Sequence, residues 1–389
     1  MGFPIPEDLK MLQATVRKFV QEELLPVEKQ VETTDEFPDD IRLPLKKKAV
    51  ALGLWNYTMP REYGGGGVNT LGRVLACEEL GQVSIAVGLT GGIVGGPRSG
   101  MGKGGEFAHA TRQQIDKYFL PVLRGEQECF MALTEPNAGS DLGAIETRAV
   151  KDGNSWVLNG RKTYVTAIDV SHFGLVLAVS DWEKRRKGGI SCFIVERNNP
   201  GLKLVRQIPL MGRRSLHSYE VELNDCRVPA ENLFGEAGHG LEVAASELGA
   251  TRIECAATCI GVAQRALKMA KDYAKKRVTF GEPLARRQTI QNMITHAEED
   301  IYASRLMIWD AATDADEGKD INVKAMMIKA FATERAVRII NDAMQIHGGL
   351  GYTRDLPLEM MYRDVRLYTI GEGGTELLEW VIARNLLKD

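Results

Sequence analysis

One carboxylate near the C-terminal end of the chain is placed where it could act as a base. Glu372 lies among glycines in the segment YTIGEGGTELLEWV, which begins at Tyr368, and apolar residues at helical spacing follow it. Glycine lets a backbone approach a ligand closely and adopt positive φ. A carboxylate held there and shielded from water could accept a proton from a substrate. The alternative is a solvated acid in a flexible loop, and the rest of the sequence has to decide between the two.

Three other segments carry residues of a binding type. LTEPNAGSD (133–141) and NGRKTYVT (159–166) follow or end predicted strands, and KKRVTFGEPLARRQ spans 275–288. Arg277 offers a planar, permanently charged fork that suits a diphosphate. Each segment also has an ordinary interpretation. Arg277 could be a surface arginine, Tyr164 a half-buried strand aromatic, and QIHGGLG (345–351) a helix that ends at glycine.

The composition excludes several classes of protein. The chain of 389 residues is longer than a single small hydrophobic core usually supports. Its 44% hydrophobic and 26% charged residues are typical of a globular protein. The net charge of -3 provides no electrostatic reason to expect nucleic acid or an anionic membrane as a partner. The six cysteines form no C-x-x-C and the six histidines show no ligand spacing, so no metal is expected. No signal peptide or membrane-length apolar run is present, which predicts a cytoplasmic protein.

The pattern along the chain predicts an α+β fold in three regions. Residues 1–125 read as an N-terminal helical domain whose first helix is interrupted at Pro26, and residues 126–234 as a β-barrel-like or sandwich domain. Residues 235–389 read as a C-terminal four-helix bundle. Asp152-Gly153 and Asn159-Gly160 are both hairpin signals within the β region. Neither glycine cluster near residues 64–96 follows a strand, so a dinucleotide-binding βαβ unit is not expected.

Taken in order, the motifs LTEPNAGSD, NGRKTYVT, KKRVTFGEPLARRQ, DAMQIHGGLGYT and YTIGEGGTE closely resemble the acyl-CoA dehydrogenase family over essentially the whole chain. The resemblance implies a flavoprotein that binds FAD and oxidises an acyl-CoA thioester to the trans-2-enoyl-CoA. Electrons would pass to an electron-transfer flavoprotein. Two alternatives remain open: a flavin-dependent oxidase or monooxygenase on the same fold, and a catalytically idle FAD- or CoA-binding scaffold.

The resemblance also implies a role for particular residues. The segment from Met131 and Leu133 to Ser140 would run beside the flavin, Thr134 would bind its pyrimidine edge, Tyr164 would pack beside the ring, and Thr166 would bind flavin N5. The other implied cofactor contacts are Arg277, Thr279, Phe280, Gln288, Gln345, Gly349, Gly374 and Glu376. Arg277 would reach the FAD pyrophosphate of a neighbouring subunit, which predicts a homo-oligomer, expected to be a tetramer.

The substrate residues implied by the resemblance are Ser140, Thr251 and Arg252, and Glu372 matches the catalytic base. Glu372 would remove the α-proton while the β-hydrogen passes as hydride to flavin N5. Its backbone N–H and a flavin ribityl hydroxyl would stabilise the thioester oxygen. If Glu372 were not the base, Glu247, one helical turn before Thr251, would be the nearby candidate.

The chain departs from the family pattern at several positions. Ala167 and Ile168 stand where Asn-Gly usually follows the N5-contacting threonine, and Gly249 stands where an acid often holds the pantetheine. Gly373, Gly374 and Thr375 follow the base, where the family usually shows E-G-T-S. These departures indicate a divergent subfamily with an atypical acyl group. They leave its chain length and branching open.

Overall fold

A computed structural model of the chain describes residues 5–99, 105–246 and 248–388. Helices come first, strands follow, and helices return to the end, which confirms the predicted α+β fold. The division at residues 125 and 234 into domains stays a prediction. Glu247, the alternative base, lies outside the described residues. No helix in these ranges is long and apolar enough to cross a membrane.

Seven helices of the described chain precede the strands. They are α1 (Glu7–Phe19), α2 (Leu25–Thr34), α3 (Asp39–Ala51), α4 (Thr70–Leu80), α5 (Ile85–Gly88), α6 (Arg112–Gln114) and α7 (Leu120–Leu123). The prediction that Pro26 interrupts the first helix is wrong, because the backbone stays helical through Pro26 to Thr34. A π-helical turn over Val20–Leu24 precedes the proline. A wider turn accommodates the missing N–H of proline and places its ring in the first turn of α2.

The strands of the middle region form one sheet. They are β1 (Cys129–Ala132), β2 (Arg148–Asp152), β3 (Ser155–Thr166), β4 (Phe173–Val179), β5 (Ile190–Glu196), β6 (Leu202–Ile208), β7 (Ser218–Pro229) and β8 (Leu233–Phe234). The order is β6-β7-β3-β2-β4-β5-β8, and β1 pairs with β4 in parallel. A single residue pair, Arg148 with Val179, joins β2 to β4, so the sheet nearly divides there. β4 is buried along its whole length, and its alternate residues enter two different apolar cores.

One hairpin prediction is confirmed and the other is wrong. Gly153, at φ +58, turns the chain between β2 and β3, and Asp152 pairs with Ser155 across the turn. Gly160 instead lies inside β3, where the register with β7 shifts between Leu158 and Gly160. A Cβ at Gly160 would lie 2.4 Å from Thr147 Oγ1. Glycine is required here for the close approach of a neighbouring segment, not for a turn.

The remaining helices are α8 (Gly240–Ala245), α9 (Leu248–Lys276), α10 (Gln288–Asp316), α11 (Asn322–His347), α12 (Leu358–Arg366) and α13 (Thr375–Leu386). A short hairpin of β9 (Val278–Thr279) and β10 (Glu282–Pro283) joins α9 to α10. Buried alanines such as Ala263 on α9 and Ala336 on α11 let these long helices pack closely. α4 packs against α9 and α10, so the bundle shares its core with the N-terminal helices.

Candidate active site

The loop that carries Glu372 has an unusual backbone. It connects α12 to α13, and Glu372 adopts φ +55, followed by Gly373 at φ +98. A non-glycine residue in the left-handed region costs about 1–3 kcal/mol and persists only where surrounding contacts hold it. The Glu372 side chain is exposed toward a cavity and is one of its lining groups. The geometry therefore holds a carboxylate at the edge of an enclosed space.

Two cations from neighbouring helices hold this loop. Arg252 Nε on α9 donates to the carbonyl oxygen of Glu372 at 3.1 Å, and Lys329 Nζ on α11 donates to the carbonyl oxygen of Gly373. The Lys329 side chain is 0% exposed. Burial lowers the pKa of Lys329, and Glu372 is the carboxylate that opposes this shift. The strained backbone of Glu372 is thus fixed from both sides by charge-assisted hydrogen bonds.

A cavity of about 280 Å³ lies beside this loop, between the β sheet and the helices. Five of the predicted site residues line it: Met131, Leu133, Thr166, Thr251 and Glu372. Its other walls include apolar groups from α4, α8 and α9 and from the segment after α5, and polar groups from three loops. The structure therefore brings together the ends of β1 and β3, the start of α9 and the C-terminal loop, which are up to 241 positions apart in the sequence.

A buried ion pair supports the β side of the cavity. Lys162 Nζ donates to Glu135 Oε1 at 2.8 Å and to the carbonyl oxygen of Leu133 at 3.0 Å. Glu135 also accepts the backbone N–H groups of Glu146 and Thr147. Burial lowers the pKa of Lys162 to about 8. These bonds fix the segment that leaves β1, so Leu133 is presented to the cavity in one position.

The remaining residues predicted beside the flavin lie around this wall. Thr134 is half-buried and its carbonyl oxygen accepts the Thr163 N–H at 2.9 Å, whereas Ser140 is exposed. Tyr164 is 61% exposed and has φ +56. Gly374 precedes the first residue of α13, and Glu376 is exposed in the first turn of that helix.

The structure places six of the predicted cofactor residues elsewhere. Around the distal end of α9 lie Arg277, Thr279, Phe280, Gln288, Gln345 and Gly349. Arg287 Nη2 bonds the Thr279 carbonyl oxygen, and Tyr273 stacks on His347, which together join the ends of α9, α10 and α11. Arg277, which follows the last residue of α9, lies 26 positions after Thr251. An α-helix rises about 39 Å over that many positions. In one chain, these residues lie far from the cavity.

Most of these six residues at the distal end of α9 are also open to solvent. Arg277, Gln288, Gln345 and Gly349 are exposed, and Phe280, at the tip of the β9–β10 hairpin, is 98% exposed. Phe280 and Gly281 both have positive φ, which is the turn geometry that a two-residue hairpin loop requires. A fully exposed phenylalanine beside an arginine is typical of a surface that contacts a partner.

The structure shows the surroundings of three residues that depart from the family pattern. Ala167 is buried at φ +59 and its N–H donates to the His217 carbonyl oxygen, so the turn after Thr166 keeps a left-handed residue without glycine or asparagine. Ile168 is buried in the β core. Gly249 lies half-buried in the first turn of α9 and has no side chain to offer a ligand.

Sequence reasoning missed three residues of this site. Lys329 occupies the buried stripe of α11 between Ala325 and Thr333, and a lysine at such a position is a signal that could have been used. Lys162 lies inside the motif NGRKTYVT, in which the sequence analysis assigns it no role. Arg213 lines the cavity from the loop between β6 and β7, and no local pattern marks it.

The whole chain is similar to known proteins. Family models described as the N-terminal, middle and C-terminal domains of acyl-CoA dehydrogenase match residues 6–126, 130–226 and 238–387. The 3-(aryl)acrylate reductase of Clostridium sporogenes is 37% identical, covering 98% of this chain and 99% of the relative. The caffeyl-CoA reductase-Etf complex subunit CarC of Acetobacterium woodii is 35% identical, covering 98% and 99%. The structure of butyryl-CoA dehydrogenase from Megasphaera elsdenii has a TM-score of 0.91 at 30% identity and covers 100% of both chains.

Proposed function

We propose that this chain, which belongs to the acyl-CoA dehydrogenase family, moves hydrogen between Cα and Cβ of an acyl-CoA thioester, with Glu372 as its base. The chain is an oxidoreductase, and FAD is its cofactor. The observation that carries the proposal is the position of Glu372. Its carboxylate lines the same cavity as Met131, Leu133 and Thr166 on one wall and Thr251 on another.

The residues of the β wall fit a flavin ring. Met131 and Leu133 offer an apolar surface, and Thr166 offers a hydroxyl whose partners are the Ser218 hydroxyl at 3.0 Å and the Tyr164 carbonyl oxygen at 3.4 Å. The largely exposed Tyr164 ring stands two residues from Thr166. FAD, when bound, supplies the acceptor for the β-hydrogen as a hydride. Thr134 and Ser140 would bind the cofactor beside this wall.

Glu372 would accept the α-proton of the thioester. An α-hydrogen is a weak acid, so its removal needs a positioned carboxylate and donors aimed at the developing enolate oxygen. The backbone N–H of Glu372 would be one such donor, because Arg252 and Lys329 hold the loop through its carbonyl groups and leave that N–H available. Thr251 and Arg252 would line the path of the pantetheine.

The same residues can run the reaction in either direction. Two of the relatives above are named as reductases and one structure as a dehydrogenase. By microscopic reversibility, the group that accepts the α-proton in oxidation returns it in reduction. We propose oxidation of the saturated thioester as the direction for this chain, with an electron-transfer flavoprotein as the acceptor, in the cytoplasm.

We also propose a homo-oligomer, expected to be a tetramer, in which two subunits complete each FAD site. Arg277 would bind the pyrophosphate of the neighbour's FAD, and Thr279, Phe280, Gln288, Gln345 and Gly349 would surround its ADP half. The length of α9 supports this arrangement. A residue about 39 Å from Thr251 is too far away to bind a cofactor group in the cavity of its own chain.

The variant Glu372→Gln tests the base. The amide is nearly isosteric and keeps the backbone N–H, so FAD and acyl-CoA binding should persist. Anaerobic flavin reduction by acyl-CoA should fall at least about 100- to 10,000-fold, the usual contribution of a general base. Glu379→Gln, an exposed acid on α13, is the matched control and should reduce its flavin at the parent rate. A Glu372→Gln rate within tenfold of the parent would return Glu372 to the status of a solvated loop acid.

A further inference from the structure

One cation in the cavity forms no ion pair among the described residues, although the charge of the buried Asp364 carboxyl lies near it. Arg213 lines the cavity, and its guanidinium carbon lies 6.0 Å from the ring centre of Tyr368, another lining residue. The Arg213 Nε is buried and has no hydrogen-bond partner. Within the described ranges, no Asp or Glu forms an ion pair with this guanidinium. The next residue shows the contrast, because Arg214 Nη1 pairs with Asp35 Oδ2 at 3.1 Å.

The backbone that delivers Arg213 is held in place. Arg213 has φ +57, and its N–H donates to Asp364 Oδ1 on α12 at 2.6 Å. A Cβ on Gly212 would lie 2.7 Å from the same Asp364 oxygen, so only glycine lets the loop approach α12 this closely. Asp364 also accepts the Ile85 N–H, and both of its oxygens therefore serve backbone groups. The loop tip is thus preorganised with the Arg213 side chain directed into the cavity.

Other donors lie in the same cavity, but they differ from Arg213. Thr58 Oγ1 is buried without a hydrogen-bond partner, and so is Arg98 Nε. Glu128 Oε2 accepts the Arg98 backbone N–H at 3.0 Å, as Asp364 Oδ1 does for Arg213, but Glu128 Oε1 is buried without a hydrogen-bond partner and remains an acceptor beside Arg98. Both oxygens of Asp364 already accept backbone N–H groups, so Arg213 is the cation of this cavity for which a ligand can supply the missing acceptor, and Thr58 is a neutral donor that lines the same cavity.

We propose that the acyl group of the substrate carries a second carboxylate, remote from the thioester, and that Arg213 binds it. This inference rests on the proposed function of the chain. An alkyl tail would bury the guanidinium without an acceptor, which is unfavourable. A carboxylate would accept two parallel hydrogen bonds from the planar guanidinium and neutralise its charge. Its repulsion from the Glu372 carboxylate would also orient the acyl chain with its free acid away from the base.

The test uses matched pairs of substrates with the FAD-loaded protein. Each pair consists of the CoA monothioester of a straight-chain dicarboxylic acid and the CoA ester of the monocarboxylic acid of the same length. The readout is kcat/KM for anaerobic flavin bleaching. We expect the parent to favour the carboxylated member of at least one pair by about 100-fold. Arg213→Met should collapse this ratio by about 100-fold. The control Arg206→Met removes an exposed arginine that bonds Glu220 and should leave the ratio unchanged.

Each outcome decides something different. A parent that prefers the alkyl member of every pair overturns the inference and leaves the proposed function standing. If Arg213→Met lowers kcat/KM equally for both members of a pair, Arg213 has only a structural role. That result also overturns the inference. If no ester of either kind bleaches the flavin, the proposed function itself fails. Arg213→Lys keeps the charge but loses the two parallel hydrogen bonds, so it should retain only part of the preference. The parent ratio remains decisive if Arg213→Met does not fold.

Discussion

Mixed oligomers of two inactive variants would show whether each FAD site is built from two subunits. One variant carries Glu372→Gln and the other carries Arg277→Ala. In a hybrid pair, the Arg277→Ala subunit keeps its own Glu372 and receives Arg277 from its neighbour. Its site then has both residues intact. The other site of the pair has neither.

The expected recovery follows from random assembly. Half of the pairs formed from an equal mixture are hybrids, and one of the two sites in each hybrid is complete. About a quarter of all sites in the unselected mixture should therefore work, and about half of the sites in hybrid pairs purified through both tags. If Arg277 served the cavity of its own chain, no hybrid site would have both residues. The separation of about 39 Å between Thr251 and Arg277 on α9 makes the first arrangement the expected one.

The assay is anaerobic flavin reduction by acyl-CoA at limiting FAD, after the two tagged variants are coexpressed and purified through both tags. Glu372→Gln alone should be at least about 100-fold slow. Arg277→Ala alone should lose FAD on dialysis, because a charge-assisted hydrogen bond contributes about 1.5–3 kcal/mol. Retention of full flavin by Arg277→Ala would show that this arginine does not bind the cofactor.

A control hybrid of the parent with Glu372→Gln should keep about half of the parent activity, which shows that mixing does not damage the sites. Doubly tagged hybrids of the two variants that are no more active than the two variants alone would refute the shared site. A monomeric sedimentation profile at micromolar concentration would refute it as well.

Three further predictions concern the buried charges. Lys329→Met removes the donor to Gly373 and should slow flavin reduction by about 10- to 100-fold without lowering flavin content or Tm, and a rate within threefold of the parent would contradict this role. Lys162→Met should lower the free energy of unfolding by about 3–5 kcal/mol in denaturant titration, because it leaves Glu135 buried without its ion-pair partner. An unchanged midpoint would show that the ion pair does not contribute to stability. Burial raises the pKa of Asp364 to about 6 from an ordinary 3.8, so the folded state binds an extra proton between these values. The unfolding free energy of the parent should therefore rise, relative to Asp364→Asn, by up to roughly 3 kcal/mol as the pH falls from about 7 to 4, and parallel pH profiles would contradict it.

The sequence by itself determined the class of fold and the main candidate residue. Hydrophobic periodicity is a local property, so the switch from helices to strands near residue 126 and back near 235 can be read directly. The ordered motifs identified the family, and Glu372 was singled out by its glycine neighbours. Local turn chemistry was less reliable. Gly153 does form a hairpin turn, whereas Gly160 makes room for Thr147 in the segment before β2.

Only the tertiary structure decided which side chains act together. Lys329 and Glu372 are 43 positions apart, and Arg213 has no local pattern, yet both cations reach the cavity or the loop beside it. Such contacts depend on how α9, α11 and the sheet pack, which no short segment encodes. The separation of Arg277 from Thr251 follows from the length of one straight helix, and the family resemblance placed both residues in FAD or substrate sites. The length of α9 keeps the two ends apart, and for this reason we propose that a second chain joins them.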